Sequence, residues 1–242
     1  MGRELLPEMS LLQHLTELRH RLFISIVAVV VGAVFSWAVS GQLLDFLSRP
    51  VTRLLPPDQN QLSFLSLTEP FLVYLKVSAV AGLFVASPVV ITQAWMFVAP
   101  GLYRREKRYA SPVIIASVVF FLLGATFGYM VLFPVMAGFF LTMGANFRQV
   151  LTVNSMFSFL LRTLLGCALV FEWPIVVFFL ARFGILSAGA MWRGFRYAVL
   201  IIFAIAAVVT PTPDMATQTI LAVPMLGLYL LGIAIAWAVQ KR

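Results

Sequence analysis

Charge is scarce in this chain. Only 11% of its 242 residues are charged and nine are acidic, against 62% that are hydrophobic. A soluble domain of this length needs far more charge to stay in solution. Cysteine is scarcer still. The single one, Cys167, sits inside an apolar stretch, so it forms no intrachain disulfide and reads as a small packed hydrophobe. Two histidines, His14 and His20, lie far from it in sequence, which leaves no metal-binding cluster, and no metal or cofactor is expected. The phosphate-cradling glycine loop, the dinucleotide fingerprint and the strained serine elbow are all missing. Their absence removes the common nucleotide-dependent and hydrolytic enzyme classes. The alternating strands of a membrane barrel are missing too. No internal repeat is present, which argues against inverted-repeat transporters.

What the chain does have is six long apolar runs separated by short charged loops. The spans are placed at about 22–40, 71–92, 112–133, 155–180, 192–209 and 217–239. Most reach the ~20 residues that cross ~30 Å of hydrocarbon. The fifth is marginal, since its purely apolar part, Ala198–Val209, covers only about 18 Å. Backbone polar groups in lipid need internal partners, so helices are expected throughout: an all-α polytopic membrane protein. Six spans use up the chain as one membrane domain over residues 1–242, with residues 1–21 as an amphipathic segment ahead of the first span. Ala38-Val39-Ser40 resembles a cleavage site, but the run before it is too long for a signal peptide and carries mixed charges ahead of it.

Cations sort by side. Arg3, Arg19, Arg21, Arg104, Arg105, Lys107, Arg108, Arg182, Arg193, Arg196, Lys241 and Arg242 fall on one side, and Arg49, Arg53 and Arg148 on the other. The positive-inside rule then places both termini in the cytoplasm. The net charge of +8 reads as loop cations facing anionic lipid rather than nucleic acid.

Four groups of polar residues stand out. From Ser10 to Leu22 the sequence SLLQHLTELRHRL puts Leu11, Leu15, Leu18 and Leu22 on one helical face and His14, Glu17 and Arg21 on the opposite one. An amphipathic helix at the membrane surface is expected, with the chain turning into the bilayer after it. On pattern alone Glu17 simply supports Arg21 at i,i+4. The second group is the loop QAWMFVAPGLYRREKRY, Gln93 to Tyr109, where Glu106 is an acid among four cations. It is either a surface ion pair or a carboxylate held ready for an arginine. Third, Phe171-Glu172-Trp173-Pro174 sets an acid inside the fourth span with a proline two positions later, a functional candidate and an expected kink. Fourth, Thr68, Glu69 and Pro70 suit the start of a helix, Pro50, Pro56 and Pro57 read as turn residues of an outer loop, and Asp214 follows a proline-rich hairpin.

Five segments together resemble the TatC family, the core subunit of the twin-arginine translocase: His14–Leu22, Leu67–Phe71, Gln93–Arg108, Phe171–Pro174 and Thr210–Met225. One departure is Thr212, which makes TPTPD of a commonly TPPD-like hairpin. The resemblance spans almost the whole chain. It implies a glove-like concave bundle in the inner membrane that binds twin-arginine signal peptides of folded proteins at its cytoplasmic face. It further implies TatA- and TatB-type single-span partners, other TatC copies, surrounding lipid, transport driven by the proton-motive force and no enzymatic step. Glu17, Glu106 and Phe97 match the family's signal-binding positions, and Arg19 and Arg105 flank them. Glu172 matches its intramembrane acid, while Pro50, Glu69, Pro88, Gln93, Pro174, Asp214 and Met225 fall where structural or assembly roles are implied. The alternatives are a proton-coupled solute transporter built on Glu172, which needs further polar residues at its depth, and an intramembrane enzyme, which needs a nucleophile–base pair there.

Overall fold

The structure, a computed structural model, describes residues 11–53, 62–98, 110–144, 146–147, 150–209 and 215–240. Among the described residues ten α-helices run in order: α1 Leu11–Ala38, α2 Ser40–Thr52, α3 Glu69–Val98, α4 Ala110–Phe127, α5 Phe133–Met143, α6 Val153–Phe171, α7 Trp173–Arg182, α8 Ala188–Arg193, α9 Phe195–Val209 and α10 Met215–Gln240. Among the described residues, five helical runs are long and apolar enough to cross a membrane, and Phe195–Val208 is a shorter apolar one. The chain divides into two compact units, Met1–Ser40 with Ser78–Val119, and Gly41–Val77 with Phe120–Arg242.

In the first unit α1 is one uninterrupted helix, so the turn expected near Arg21 is absent. Nothing in 11–38 breaks a helix: proline is missing and the glycine at 32 is tolerated. At 28 residues it is about 42 Å long, enough to cross the hydrocarbon with several turns to spare. Its leucine face points outward, with Leu15 and Leu22 exposed, as lipid-facing residues must be. The small residues face in. Gly32 and Gly82 meet where α1 crosses α3, and a Cβ on Gly32 would stand 2.6 Å from the Gly82 carbonyl oxygen. Close approach of glycines replaces the hydrophobic effect as the source of packing between helices in lipid.

α4 and α5 form one run, Ser111–Met143, of 33 residues, which enters the second unit at Phe120. A span over 112–133 was expected, ending where Pro134 stands. A π-helical turn at Gly128–Leu132 widens the helix just before the proline, with the Phe133 N–H reaching back to the Gly128 carbonyl. That wider turn accommodates the ring without ending the helix. Gly128 packs on Cys167 of α6, where an added Cβ would lie 3.3 Å from Sγ. Cys167 is buried, as a packed hydrophobe should be.

The segment after α1 holds a helix that the prolines hid. In α2, Leu43, Leu44, Leu47 and Val51 lie on one face, and Val51 is 2% exposed. Pro50 sits inside the last turn of this helix rather than in a turn. It lacks the N–H that would reach the Phe46 carbonyl four residues back. The Tyr129 hydroxyl donates to that carbonyl instead, at 2.6 Å. The same compensation recurs in α3 of the first unit. Pro88 withholds a donor from the Phe84 carbonyl, and the Ser87 hydroxyl donates to it at 2.7 Å. The start of α3, in the second unit, is tied to the start of α6. Ser63 and Thr152 form an isolated bridge. Glu69 accepts the Leu65 N–H at 2.8 Å and the Asn154 N–H at 3.0 Å.

The core of this unit gathers Met136, Cys167, Val177, Met191, Ala206, Leu221, Ala222, Met225 and Tyr229. α7 ends at Gly184, whose φ of 71° lets Ile185 and Leu186 N–H groups turn back to the Leu180 carbonyl. α8 is capped by Ser187, which accepts the Ala190 N–H. Gly194 separates α8 from α9, so the expected fifth span beginning at Trp192 is split: Trp192 and Arg193 close α8, and α9 begins at Phe195.

Candidate functional site

In the first unit, one face of α1 meets the end of α3. His14, Glu17 and Arg21 recur at steps of three and four, so α1 presents them in a row. Arg21 donates through Nε and Nη2 to Oε1 of Glu17, at 3.0 and 2.6 Å. Its Nη1 donates to Oε1 of Gln93 on α3 at 3.2 Å. Both charged side chains are only 17% exposed. Glu17 Oε2 is buried and accepts no hydrogen bond among the described residues. One turn earlier, the His14 ring stacks on Phe97, centroids 4.4 Å apart and 25° between planes. Gln93, placed by the resemblance among structural positions, is thus part of the same cluster as Glu17, and Phe97 adjoins it. Arg19 is exposed on α1. Arg105, Glu106 and Asp214 lie outside the described residues. Trp95, in the same turn of α3 as Gln93, donates to the Ser117 hydroxyl at 2.9 Å.

The arrangement has a clear chemical meaning. Glu17 is a half-buried carboxylate whose Oε1 accepts two N–H groups of one guanidinium, and that guanidinium is held in turn by the Gln93 amide oxygen. It is a site whose shape and charge suit arginine better than lysine, because an ammonium lacks the planar fork.

The second unit carries Glu172 at a break in the fourth span. α6 ends at Phe171 and α7 begins at Trp173, with Glu172 between them. Its N–H reaches the Leu169 carbonyl, and its own carbonyl accepts the Ile175 and Val176 N–H groups. Pro174 stands buried in the first turn of α7, where a missing N–H costs nothing. The interruption expected from this proline is therefore present. Glu172 lines a cavity of about 520 Å³ walled by α6 to α10 and is the only charged residue on its lining among the described residues. Trp173 and Tyr229 stack in its wall with centroids 6.2 Å apart. The Tyr229 hydroxyl donates to the Met191 carbonyl at 2.9 Å and satisfies the phenol in an apolar setting. Met225, 6% exposed, lines the same cavity.

The remaining family positions are structural in their contacts. Pro50 and Pro88 sit inside α2 and α3, and Glu69 closes the bridge to α6. Sequence reasoning missed Tyr129, which completes α2, and it gave no role to Lys76. Lys76 donates to Asn154 Oδ1 at 2.6 Å and to the Ser158 hydroxyl at 3.1 Å. A lone lysine at the start of an apolar span was the available signal, since such a residue needs polar neighbours. No group of three metal-ligating side chains converges among the described residues.

The chain was compared with known families and structures. Residues 13–224 match the model of the TatC family, described as Sec-independent protein translocase protein (TatC). The Sec-independent protein translocase protein TatC of Koribacter versatilis is 43% identical over 244 residues, covering 100% of this chain and 90% of that one. The TatC protein of Aquifex aeolicus is 35% identical, covering 93% of each. A crystal structure titled twin arginine translocase receptor TatC superposes with a TM-score of 0.83 at 32% identity, covering 95% of this chain and 100% of that one.

Proposed function

The chain belongs to the TatC family, and from that premise we propose that it reads twin-arginine signal peptides through the Glu17 cluster. It is a multi-pass membrane component of the Sec-independent protein translocase, with no bond-making role. The observation that carries the receptor reading is the guanidinium already seated on Glu17. A half-buried carboxylate that accepts two N–H groups from Arg21 has the geometry an arginine side chain requires. Glu106, in the following loop, is the second carboxylate, so that two acids meet two arginines. Phe97, stacked on His14, offers an aromatic surface beside them. Arg19 and Arg105 flank the two acids.

The distribution of lysine and arginine supports a cytoplasmic position for this site. The apolar cavity beside Glu172 suits an apolar helix, either the hydrophobic part of the signal or a single-span partner of TatA or TatB type. Transport is then driven by the proton-motive force. The transporter alternative loses ground on the same cavity, because among the described residues no second charged residue shares its lining with Glu172.

The test is site-specific crosslinking of a twin-arginine signal peptide to membranes holding the full chain. Wild type is compared with Glu17→Ala and Glu106→Ala, and with a Lys-Lys signal. Crosslinks at α1 and the following loop that vanish in both variants and with Lys-Lys support the reading. Equal crosslinking in every case makes the acids structural and sinks it.

A further inference from the structure

Arg21 covers the oxygen that a signal arginine needs. Its Nε and Nη2 both point at Glu17 Oε1, and Gln93 holds the guanidinium from its far side through Nη1. The other oxygen, Oε2, is buried. Among the described residues, Arg21 thus occupies one carboxylate oxygen and the other is closed to solvent. A guest must either move Arg21 or fail to pair.

We infer that Arg21 is an internal competitor that sets the affinity threshold of the Glu17 site. The inference rests on the receptor reading above. Its physics is simple competition. Arg21 is tethered to Glu17 on one helix, four residues away, so it is always at hand. A guest has to bind more strongly than the contact it breaks. Two ligands that displace the same group lose affinity by the same factor, so Arg21 does not itself distinguish arginine from lysine. It lowers both until only the stronger remains bound at working concentration. A guanidinium replaces the forked contact in kind, whereas an ammonium offers a single compact charge in its place. Gln93 strengthens the competitor by giving Arg21 a second anchor 72 residues away in sequence.

An ordered series of affinities follows. Arg21→Gln removes the guanidinium and should tighten a twin-arginine peptide by about two- to tenfold. Arg21→Lys keeps the charge but gives up the fork, and Gln93→Ala frees one end of the guanidinium. Each should give part of that gain. The Lys-Lys peptide should tighten by the same factor and rise above background binding.

The experiment is fluorescence titration of a synthetic twin-arginine signal peptide, and of its Lys-Lys version, against membrane vesicles holding the full chain with its partner subunits. Wild type, Arg21→Gln, Arg21→Lys, Gln93→Ala and Glu17→Gln are compared. Tightening in the order wild type, then Arg21→Lys and Gln93→Ala, then Arg21→Gln supports the inference. Unchanged or weakened binding in all three overturns it and makes Arg21 a support for Glu17. In that event, loss of binding in Glu17→Gln would leave the receptor reading standing alone. Wild type that binds both peptides equally, with Glu17→Gln unaffected, overturns both.

Discussion

Tyr129 donates its hydroxyl hydrogen to the Phe46 carbonyl at 2.6 Å, the carbonyl that Pro50 leaves without a helical donor. The rings of Phe46 and Tyr129 also stack, with centroids 4.8 Å apart. The hydroxyl therefore completes a helix that its own sequence cannot. Tyr129→Phe keeps the stack and removes the bond, which should lower stability by about 1 kcal/mol. Pro50→Ala restores the helical N–H and makes the hydroxyl redundant. Thermal unfolding of the single and double variants in detergent checks this. The loss from Tyr129→Phe should shrink in the Pro50→Ala background, a non-additivity that two independent sites would not show.

The crossing of α1 and α3 depends on two hydrogens. A Cβ on Gly82 would run into the backbone of Ala33, and no flexible side chain is there to yield. Gly82→Ala should destabilise the protein by about 1–3 kcal/mol, the cost of forcing packed backbones apart. Gly227→Ala is the matched control, because nothing lies within 4 Å of the Cβ it would add. Its thermal midpoint should match wild type or exceed it slightly. Equal losses in the two variants would mean that the crossing does not set the effect.

Much of this architecture is legible from residue order. The break at Glu172 follows from an acid and a proline two positions apart in an apolar run, and the row of His14, Glu17 and Arg21 follows from helical spacing. α2 was not legible because Pro50 read as a turn residue. Its Leu43, Leu47 and Val51 do recur at four-residue steps, and a proline in a last turn costs only one bond. The continuation of α4 into α5 was hidden for a related reason, since a π-helical turn carries no sequence mark that distinguishes it from a helix end before Pro134. The partners of the site lay beyond reach for another reason. Gln93 is 72 residues from Arg21, and only the crossing of α1 and α3 brings them together. Glu106, Arg105 and Asp214 lie outside the described residues.

Glu69 holds two amides that have no other evident acceptor. Its carboxylate takes the N–H groups of Leu65 and Asn154, and the adjacent bridge between Ser63 and Thr152 rests on that tie. Glu69→Ala should lower stability, because both donors lose their partner together. Glu69→Gln keeps one carbonyl oxygen and should cost less. Hydrogen exchange is the direct measurement. Residues 62–66 and 150–158 should exchange faster in Glu69→Ala than in Glu69→Gln, while α10 stays unchanged. Uniform acceleration over the whole chain would show that Glu69 acts on global stability instead.

α9 predicts a response to the bilayer itself. Phe195–Val209 has 15 residues and rises about 22 Å, short of the ~30 Å of a typical hydrocarbon core. Arg193 and Arg196 lie at its amino end, and their charges resist being drawn inward. We propose that α9 crosses the bilayer, which must then thin beside it or expose its polar ends, at fractions of a kcal/mol per ångström. Over a shortfall of about 8 Å the total is a few kcal/mol. Protein reconstituted in short-chain lipid should unfold at a higher temperature than in long-chain lipid. Insertion of four leucines after Val208 adds about 6 Å, more than a full helical turn, and should move the optimum toward thicker bilayers. An optimum that stays put in the lengthened variant would show that neighbouring helices, and not lipid, cover the ends of α9.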